Sequence, residues 1–525
     1  MNKHILFLFA VLLLAACAKI GSPTGGEEDS EGPEVISSQP ENFSTQIAPK
    51  EIELEFNEFI TLGNPEKDWI ISPPLKYPPK VKLRGKTLKI SLRDTLEAET
   101  TYTINFGESI KDLHEGNLLE NPLYVFSTGA YIDSGRVVGK TIKAENTEIL
   151  SDISIGLYPS SLDSFPVDTP PLYFARSKEG VFVLPYLKQA RYHILAWKDD
   201  NADKKWSKTE ALAFLPELVE PITDSIIIDS LDMRLYTEIP DSMAITKFRL
   251  YDNQRILLEY NAFPRSSEFE IRGEGIAFQD HFEDSSVVWF REKQEADSLR
   301  LFVQDKGFND TLVFYPFPIK EDENDTLVSL AKSTVPDKPG DSLQLIYPEP
   351  LAKDSFLIRY FLGEDSLGTQ ATAYRSKQRS NLFLSKLPSK LESQVRVNSG
   401  VENRGLYRSS VDSLKLNYQI GAAENYGSFS LNLINDSLNY ENCFILLGVK
   451  EKLKKYPANK GKLKIDYLNP SKLELYLVVD TDGNGKFSPG SIYDKKLPES
   501  VFKYPDPIEV RANWDLEIDW NIKVE

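Results

Sequence analysis

The sequence predicts an all-β protein built from tandem β-sandwich domains, and three observations lead to this prediction. Apolar and polar residues alternate with a period of two over most of the chain, as they do in strands that bury one face. Long amphipathic helical patterns are nearly absent, and strand-like stretches recur about every eight to twelve residues, as in β-sandwiches. Because 525 residues are too many for a single core, we expect roughly three to five domains.

The alternation is clear at the start of the first predicted domain. Ile52, Leu54 and Phe56 alternate with three glutamates, which predicts a strand with one buried and one solvated face. The stretch VKLRGKTLKISL (residues 81–92) contains two such runs joined at Arg84-Gly85-Lys86, which is a hairpin signature. The same pattern continues through Tyr102, so the domain is predicted to consist of short antiparallel strands.

Residues 1–16 are predicted to be a signal peptide, with a polar start, an apolar run that ends at Leu14, and small residues before Cys17. The apolar run is too short to span a bilayer. Leu14-Ala15-Ala16-Cys17 resembles a bacterial lipoprotein processing site, which implies that Cys17 is lipidated and becomes the first mature residue. The alternative is an ordinary cleavage site beside a chance cysteine. Ala18 follows, and not the aspartate that retains many lipoproteins at the inner membrane, so we expect a lipid anchor in the outer membrane.

Residues 17–32 are predicted to be a flexible, lipidated tether. The stretch is rich in glycine, serine and proline and carries four acidic residues between Glu27 and Glu31, so it has little to bury. Acidic residues soon after a lipidated cysteine resemble the surface-export signal of Bacteroidota lipoproteins, although here they begin later than in that pattern. The resemblance implies a protein that faces the cell exterior, whereas a purely solvated tether is the alternative.

Composition excludes several classes of function. The formal net charge of −18 and a pI near 5.0 argue against binding to nucleic acid. Apart from Cys17 the sequence contains only Cys443, so an intrachain disulfide framework is excluded in the mature chain. The few histidines are far apart, and no zinc-binding, nucleophile-elbow or phosphate-binding motif is present. We therefore expect a protein that is not an enzyme.

Residues 33–129 carry a resemblance to a known family. The strand that contains Phe56 and Glu58 has the pattern apolar-x-apolar-x-Phe-x-Glu-x-apolar, and an Asp-x-x-Gly-Asn-like turn follows at Asp112, Gly116 and Asn117. These features resemble the bacterial Ig-like domain first described in surface-layer proteins. The turn is slightly longer than the family's. The resemblance implies a seven-stranded sandwich that acts as a spacer or interaction module.

Two further segments resemble each other. Residues 130–229 resemble prealbumin-like or carboxypeptidase-regulatory-like β-sandwiches. The resemblance is carried by the predicted strands GVFV and ARYHILAW. Residues 419–525 repeat that unit, because KLELYLVVDTDGNGKFS aligns with RYHILAWKDDNADKKWS. Between the two copies, residues 230–330 and 331–418 are predicted to be two more β domains. The stretch DSLQLIYPEPL at 341–351 resembles the EIELEFNEFI strand, which suggests that residues 331–418 form a second Ig-like unit.

The repeated loop is a candidate calcium site, because carboxylate, amide and hydroxyl oxygens recur at alternate positions and a glycine permits a sharp turn. In the second copy the candidate ligands are Asp480, Asp482, Asn484 and Ser488. In the first copy they are Asp199, Asn201, Asp203 and Glu210. The second copy lacks an acid at position 12, and the first has a lysine in place of the glycine. The alternative is a turn held by Asx hydrogen bonds, and any calcium is expected to be structural.

A second recurring pattern is Asp followed by Ser or Thr and then an aliphatic residue or methionine. It occurs far more often than the roughly two or three copies that average composition gives. It resembles the O-glycosylation sequon of Bacteroidota, and the predicted glycan acceptors are Ser298, Thr311 and Thr326. Turns that lead into apolar strands would give the same letters.

Three functions are compatible with this sequence. The first is a non-catalytic scaffold lipoprotein that binds other outer-membrane proteins and lipoproteins, in protein assembly or transport. The second is a glycan-binding surface lipoprotein for nutrient capture, in which Trp197, Trp206 and Trp289 stack on sugar rings. The third is an enzyme whose site is assembled from distant carboxylates. Near the C-terminus, Trp514 and Trp520 are predicted to be core residues on one strand face.

Overall fold

The structure is a computed structural model that describes residues 30–161, 169–223, 231–239, 243–251, 254–261, 269–282, 284–292, 298–305, 308–316, 332–364, 367–386, 394–399, 414–435, 438–449 and 452–523. Cys17 and Thr326 lie outside these ranges. The regular structure of the described residues is almost entirely β, in several mainly antiparallel sheets, which confirms the predicted all-β class of tandem sandwiches. No helix among the described residues is long and apolar enough to cross a membrane.

The chain divides into two compact units. The first takes the chain as far as Lys140, together with Ser151–Ser207 and Glu217–Asp232, and the second takes the remaining residues. The predicted domain of residues 130–229 is therefore divided between the units, while the other predicted borders remain predictions.

The Ig-like segment at the start of the first unit is a sandwich. Its elements are β1 (Val35–Gln39), β2 (Glu51–Phe56), β3 (Ile60–Leu62), α1 (Pro65–Asp68), β4 (Ile70–Ser72), β5 (Lys80–Arg84), β6 (Thr87–Ser91), β7 (Thr101–Asn105), β8 (Ile110–Asp112) and β9 (Leu123–Ser127). The two main sheets have the orders β1-β2-β6-β5 and β4-β7-β9, and β3 pairs with β8. The side chains of Ile52, Leu54 and Phe56 are buried in the core, as their alternation with glutamate predicts.

The turn after β8 is organised around one carboxylate. The N–H groups of His114, Glu115 and Gly116 donate to Asp112 Oδ1, and that of Asn117 donates to Asp112 Oδ2. Burial alone would raise the pKa of Asp112, but the four donors outweigh it and lower that pKa to about 2. Gly116 has a φ of 85°, which favours glycine at this position of the family's turn.

The next segment contributes two further sheets. Its strands are β10 (Gly135–Lys143), β11 (Ser154–Pro159), β12 (Tyr173–Arg176), β13 (Val181–Leu187), β14 (Tyr192–Trp197), β15 (Leu212–Phe214) and β16 (Leu231–Leu235). Within the first unit, β11 pairs with both β12 and β14, and β10 pairs with β13. The segment lies against the Ig-like sandwich, where the Phe174 N–H donates to Ser72 Oγ at 3.1 Å.

Within the second unit, two sheets that follow β16 in the chain share one core. Their strands are β17 (Ile245–Tyr251), β18 (Arg255–Tyr260), β19 (Glu270–Gly273), β20 (Ile276–His281), β21 (Ser285–Phe290), β22 (Leu299–Asp305) and β23 (Phe308–Phe314). The sheet orders are β17-β18-β21-β20 and β19-β22-β23, and Ile256, Leu258 and Leu301 are fully buried between them.

The following seven strands are joined in one hydrogen-bonded sheet. They are β24 (Lys332–Thr334), β25 (Leu343–Ile346), β26 (Ser355–Leu362), β27 (Thr369–Arg375), β28 (Leu382–Ser385), β29 (Gln394–Ser399) and β30 (Leu414–Gln419), in the order β24-β25-β28-β27-β26-β29-β30. Asp280 of β20, which is buried, ties this sheet to the preceding one by accepting the N–H and the hydroxyl of Ser380 at 2.6 and 2.8 Å. It also accepts the Trp289 indole N–H at 3.1 Å. The Ig-like assignment of residues 331–418 remains a prediction.

The last segment has the same strand connections as the segment that begins at β10. Its strands are β31 (Gly427–Ile434), β32 (Cys443–Val449), β33 (Lys452–Pro457), β34 (Lys462–Leu468), β35 (Ser471–Val479), β36 (Val501–Lys503), β37 (Ile508–Val510) and β38 (Asp515–Asn521). Strand β32 pairs with β33 and β35 as β11 pairs with β12 and β14, and β31 pairs with β34 as β10 pairs with β13. In addition, β38 lies parallel to β31.

Candidate functional site

The second copy of the repeated loop begins where β35 ends, at Asp480. Asp480 Oδ2 accepts the Gly485 N–H at 2.7 Å, so this carboxylate spans the loop. Asp482 Oδ1 accepts the Asn484 N–H at 3.1 Å, and Asn484 Oδ1 accepts the Lys486 N–H at 2.6 Å. These bonds are the Asx ladder expected of a tight turn. The ladder leaves Asp480 Oδ1 uncommitted, and this oxygen is buried with no hydrogen-bond partner.

Three carboxylates converge at this loop. Each of Asp480, Asp482 and Glu499 has an oxygen within 4.8 Å of the others, and Asp480 and Glu499 are only 8% and 3% exposed. Glu499 Oε1 accepts the N–H and the hydroxyl of Thr481 at 2.6 and 3.0 Å, and Oε2 accepts the Ser488 N–H at 2.9 Å. Hydrogen bonds on both oxygens fix the position of the glutamate beside the two aspartates.

Glu499 was not among the residues predicted from sequence. It lies 18 residues beyond Thr481, outside the window in which a calcium loop of the usual length places its closing acid. The antiparallel pairing of β36 with β35 brings it back, because Val501 lies opposite Val478. The feature that would identify Glu499 is its position just before a strand that pairs with β35. Strand pairing cannot be read from one sequence, so this feature is visible only in the structure.

The two other predicted ligands of this loop are placed differently from each other. Ser488 Oγ lies 2.7 Å from Asp482 Oδ2 and is therefore part of the cluster. Asn484 directs its amide nitrogen toward Asp482 Oδ2 and Ser488 Oγ, at 3.0 and 2.7 Å, while its oxygen is used by the Lys486 N–H. In this arrangement Asn484 supports the carboxylates as a donor and presents no oxygen to them.

The first copy of the loop has the same backbone hydrogen bonds. Asp199 Oδ2 accepts the Lys204 N–H at 3.1 Å, Asn201 Oδ1 accepts the Asp203 N–H at 2.9 Å, and Asp203 Oδ1 accepts the Lys205 N–H at 2.8 Å. The fourth and sixth loop positions are left-handed in both copies. The φ values are 59° and 62° for Ala202 and Lys204 in the first copy, and 71° and 74° for Gly483 and Gly485 in the second.

Lys204 gives the first copy a different use. Its ammonium donates to the carbonyl oxygens of Glu66 and Trp69, at 2.9 and 2.7 Å, at the end of α1 in the Ig-like sandwich. Burial lowers the pKa of Lys204, and the nearby Arg176 charge lowers it further. Arg176 also lies 3.8 Å from Asp199 and balances its charge. The loop therefore joins two sandwiches of the first unit.

The predicted ligand set of the first copy is divided. Asp199, Asn201 and Asp203 belong to the first compact unit, whereas Glu210 is buried in the second. The part of the loop with Asp199, Asn201 and Asp203 also carries Lys204, which contacts the Ig-like sandwich. Arg176 forms an ion pair with Asp199 in the same part.

The tryptophans proposed for glycan stacking are core residues. Trp197 and Trp206 are fully buried and Trp289 is 4% exposed, so the prediction that they stack on sugar rings is wrong. At the C-terminus, Trp520 is buried as predicted. Trp514 is 59% exposed and precedes β38, so its assignment to the same core face is wrong.

The predicted glycan acceptors that the structure describes are accessible. Ser298 is exposed just before β22, and Thr311 is exposed on β23, an edge strand. Asp310 Oδ1 accepts the Thr311 N–H at 2.7 Å. Thr311 lies within a strand, whereas the sequence pattern placed it at a strand entrance. Glycosylation at these residues remains a prediction.

Two interacting carboxyl groups, those of Asp337 and Asp341, lie next to the seven-stranded sheet. Burial and the neighbouring Asp337 raise the pKa of Asp341 to about 6, and a hydrogen bond from Asp341 lowers the pKa of Asp337. Asn469 of the last segment donates to Asp337 Oδ2 at 2.9 Å, and the Tyr426 hydroxyl donates to the Asp337 carbonyl at 2.6 Å. These partners make the pair a connection between neighbouring β segments.

Comparisons with known proteins support the Ig-like assignment. Residues 29–128 match the family described as the bacterial Ig-like domain. No curated protein sequence matches the chain.

Solved structures with similar features include two of the bacterial S-layer protein SbsC. The first is 14% identical, covers 32% of this chain and 40% of its own, and has a TM-score of 0.14. The second is 13% identical, covers 86% and 64%, and has a TM-score of 0.14. The Bacillus anthracis TIE protein is 10% identical, covers 100% and 79%, and has a TM-score of 0.15. At these TM-scores the likenesses carry no argument about function. This chain spans less than two thirds of either SbsC structure. Its residues 29–128 are a bacterial Ig-like domain.

Proposed function

We propose that this chain is a non-catalytic lipoprotein of the outer membrane, facing the cell exterior, that holds other outer-membrane proteins and lipoproteins in a complex for protein assembly or transport. Cys17 would carry the lipid, and the acidic stretch of residues 17–32 would be the tether. The mature chain would thus present its β domains beyond the membrane surface.

The observation that carries this proposal is that neighbouring β segments are tied by specific hydrogen bonds within each unit. In the first unit, Lys204 binds two carbonyl groups of the Ig-like domain. In the second unit, the buried Asp280 binds Ser380, and Asn469 binds Asp337. Domains of one chain move relative to each other by default, and each of these hydrogen bonds restrains that motion. Ties of this kind suit a protein that holds partners at fixed positions.

The glycan-binding alternative has lost its proposed stacking residues, because Trp197, Trp206 and Trp289 are buried. Aromatic rings bind sugars with an exposed face, and these three rings have none. We therefore retain the scaffold as the proposed function.

The test is to purify the full chain with a C-terminal tag from membranes solubilised in mild detergent and to identify what co-purifies. A stoichiometric set of outer-membrane barrels and lipoproteins is the expected result. The matched control is Cys17→Ser, which should leave the membrane fraction and lose the set. A chain that purifies alone from both preparations would refute the scaffold.

The orientation is tested separately on intact cells. A protein on the exterior should be degraded by added proteinase K while a periplasmic marker stays intact. Protection of the chain until the outer membrane is permeabilised would place it on the periplasmic side.

A further inference from the structure

We infer that the loop after β35 is a structural site for one calcium ion, whose carboxylate ligands are Asp480, Asp482 and Glu499, and that the equivalent loop after β14 has replaced calcium binding with the Lys204 joint. The two loops have the same backbone conformation, but the first contacts the Ig-like sandwich through Lys204 and the second would bind calcium.

The first reason is the buried oxygen of Asp480. Asp480 is more than nine-tenths buried, and its Oδ1 has no hydrogen-bond partner, whereas its Oδ2 is used by the loop backbone. A buried carboxylate oxygen without a donor is costly, since it has lost its water and gained nothing in return. A cation at this oxygen would remove that cost.

The second reason is the approach of three like charges. Oxygens of Asp480, Asp482 and Glu499 lie within 4.8 Å of one another, and two of the three residues are buried. Carboxylates this close repel one another in a poorly solvated place unless a positive charge lies between them. The separation suits oxygens around a single cation, because calcium–oxygen distances are about 2.3–2.6 Å.

The chemistry of the donors selects the metal. The cluster offers carboxylate oxygens and the Ser488 hydroxyl, and neither imidazole nor thiolate belongs to it. Oxygen ligands on an irregular loop suit calcium, which tolerates variable geometry, better than magnesium, which demands a regular octahedron. Glu499 supplies the acid that the loop itself lacks at its twelfth position.

The first copy shows why it would not bind calcium. The left-handed sixth position is glycine in the second copy and Lys204 in the first. The lysine brings a positive charge to the loop, and Arg176 lies 3.8 Å from Asp199. The Arg176 guanidinium beside Asp199 would oppose entry of a divalent cation there, whereas in the second copy Lys455 donates to the Gly485 carbonyl and not to one of the three carboxylates.

The experiment is equilibrium dialysis of the full-length, detergent-solubilised chain against radioactive CaCl2 after EGTA treatment, in about 0.15 M NaCl to screen surface charges. We expect saturation at one ion per chain, with a dissociation constant of about 10⁻⁴–10⁻³ M or lower, the range of extracellular modules. Calcium, and not an equal concentration of MgCl2, should also slow amide hydrogen exchange at the paired strands β35 and β36.

Variants assign the site. Asp480→Asn and Glu499→Gln should each weaken binding at least about tenfold, as losses around metal sites commonly do. Asp494→Asn, an exposed acid of the same loop, is the matched control and should bind like the wild type. Asp199→Asn should still bind one ion. Melting each variant in EGTA shows that it is folded.

Three results would overturn the inference. Absence of saturable binding by the folded wild type would show that no calcium site is present. An equal loss in Asp494→Asn would show that binding is diffuse surface association. Two ions per chain, with one lost in Asp199→Asn, would show that the first copy also binds calcium.

Discussion

Lys204 is the residue whose removal best tests how the first unit is held together. Lys204→Met keeps the length and the apolar stem of the side chain but removes the ammonium that donates to the Glu66 and Trp69 carbonyls at 2.9 and 2.7 Å. Lys204→Gly removes the same contact and also relieves the φ of 62° that the lysine adopts. Comparing the two variants separates the contact from the backbone strain.

The magnitudes follow from the geometry. A hydrogen bond from a charged donor is worth about 1.5–3 kcal/mol when buried. Because Lys204 is only half-buried, we assign about 2 kcal/mol to its two bonds together. A left-handed residue other than glycine costs about 1 kcal/mol. Lys204→Met should therefore destabilise the contact by about 2 kcal/mol. Lys204→Gly should destabilise it by only about 1 kcal/mol, because glycine relieves the backbone strain and so recovers about 1 kcal/mol.

The assay is amide hydrogen exchange of β4 and its partner β7, read by mass spectrometry on the full chain, because a single unfolding midpoint is poorly defined for several domains. Exchange should accelerate about thirtyfold in Lys204→Met and about fivefold in Lys204→Gly, at 1.36 kcal/mol per factor of ten. Lys198→Met is the control, because its side chain is 64% exposed and makes only a surface ion pair with Asp200. Unchanged exchange in Lys204→Met, or a larger effect in Lys204→Gly, would refute the reasoning.

Three further predictions concern buried or paired carboxyl groups. The pKa of Asp112 is lowered to about 2, so its contribution to stability is present above about pH 4 and is lost as the pH falls toward 2. Asp112→Asn should thus flatten the acid limb of an unfolding titration, and an unchanged limb would contradict this. The pKa of Asp341 is raised to about 6, so its contribution to stability is present below about pH 4 and is lost as the pH rises through 6. The pKa of Asp337 is lowered, so its contribution to stability is instead present at higher pH and is lost as the pH falls. Asp341→Asn should be more stable than the wild type at pH 7, measured as slower amide hydrogen exchange of the neighbouring strand β25, and a less stable variant would count against the pairing. Asp280→Ala leaves three donors unpaired and should cost about 3 kcal/mol or more in the same assay, and a loss under 1 kcal/mol would show that water replaces the carboxylate.

The strands and hairpins could be predicted because they depend on residues close in sequence. The hairpin around Gly85 has the register that its alternation implies, with Val81 opposite Ile90 and Leu83 opposite Leu88. Gly85 has a φ of 63°, as a two-residue hairpin turn requires. Burial of one face fixes such a register locally, because a slip by one residue would turn every apolar side chain to solvent.

Features that depend on pairing between distant strands could not be predicted. Glu499 joins the carboxylate cluster only because β36 returns beside β35. The three tryptophans suggested for glycan binding are buried by the packing of whole sheets, which a tryptophan's neighbours in sequence do not reveal. Trp514 has the spacing of a strand residue relative to Trp520, but β38 begins after it. Sequence thus identified the repeated loop but not the complete set of residues around it.

The parallel pairing of β31 with β38 has a consequence for biogenesis. Ser428 lies opposite Asp515, 87 residues later, and the pairing continues to Asn521, near the last residue described. Non-local parallel pairing forms late, because a long loop must close first. Until β38 is in place, this edge of β31 lacks its partner and is open to other strands. A chain truncated before β38 should therefore expose this edge of β31 and be more prone to pair with other strands and aggregate.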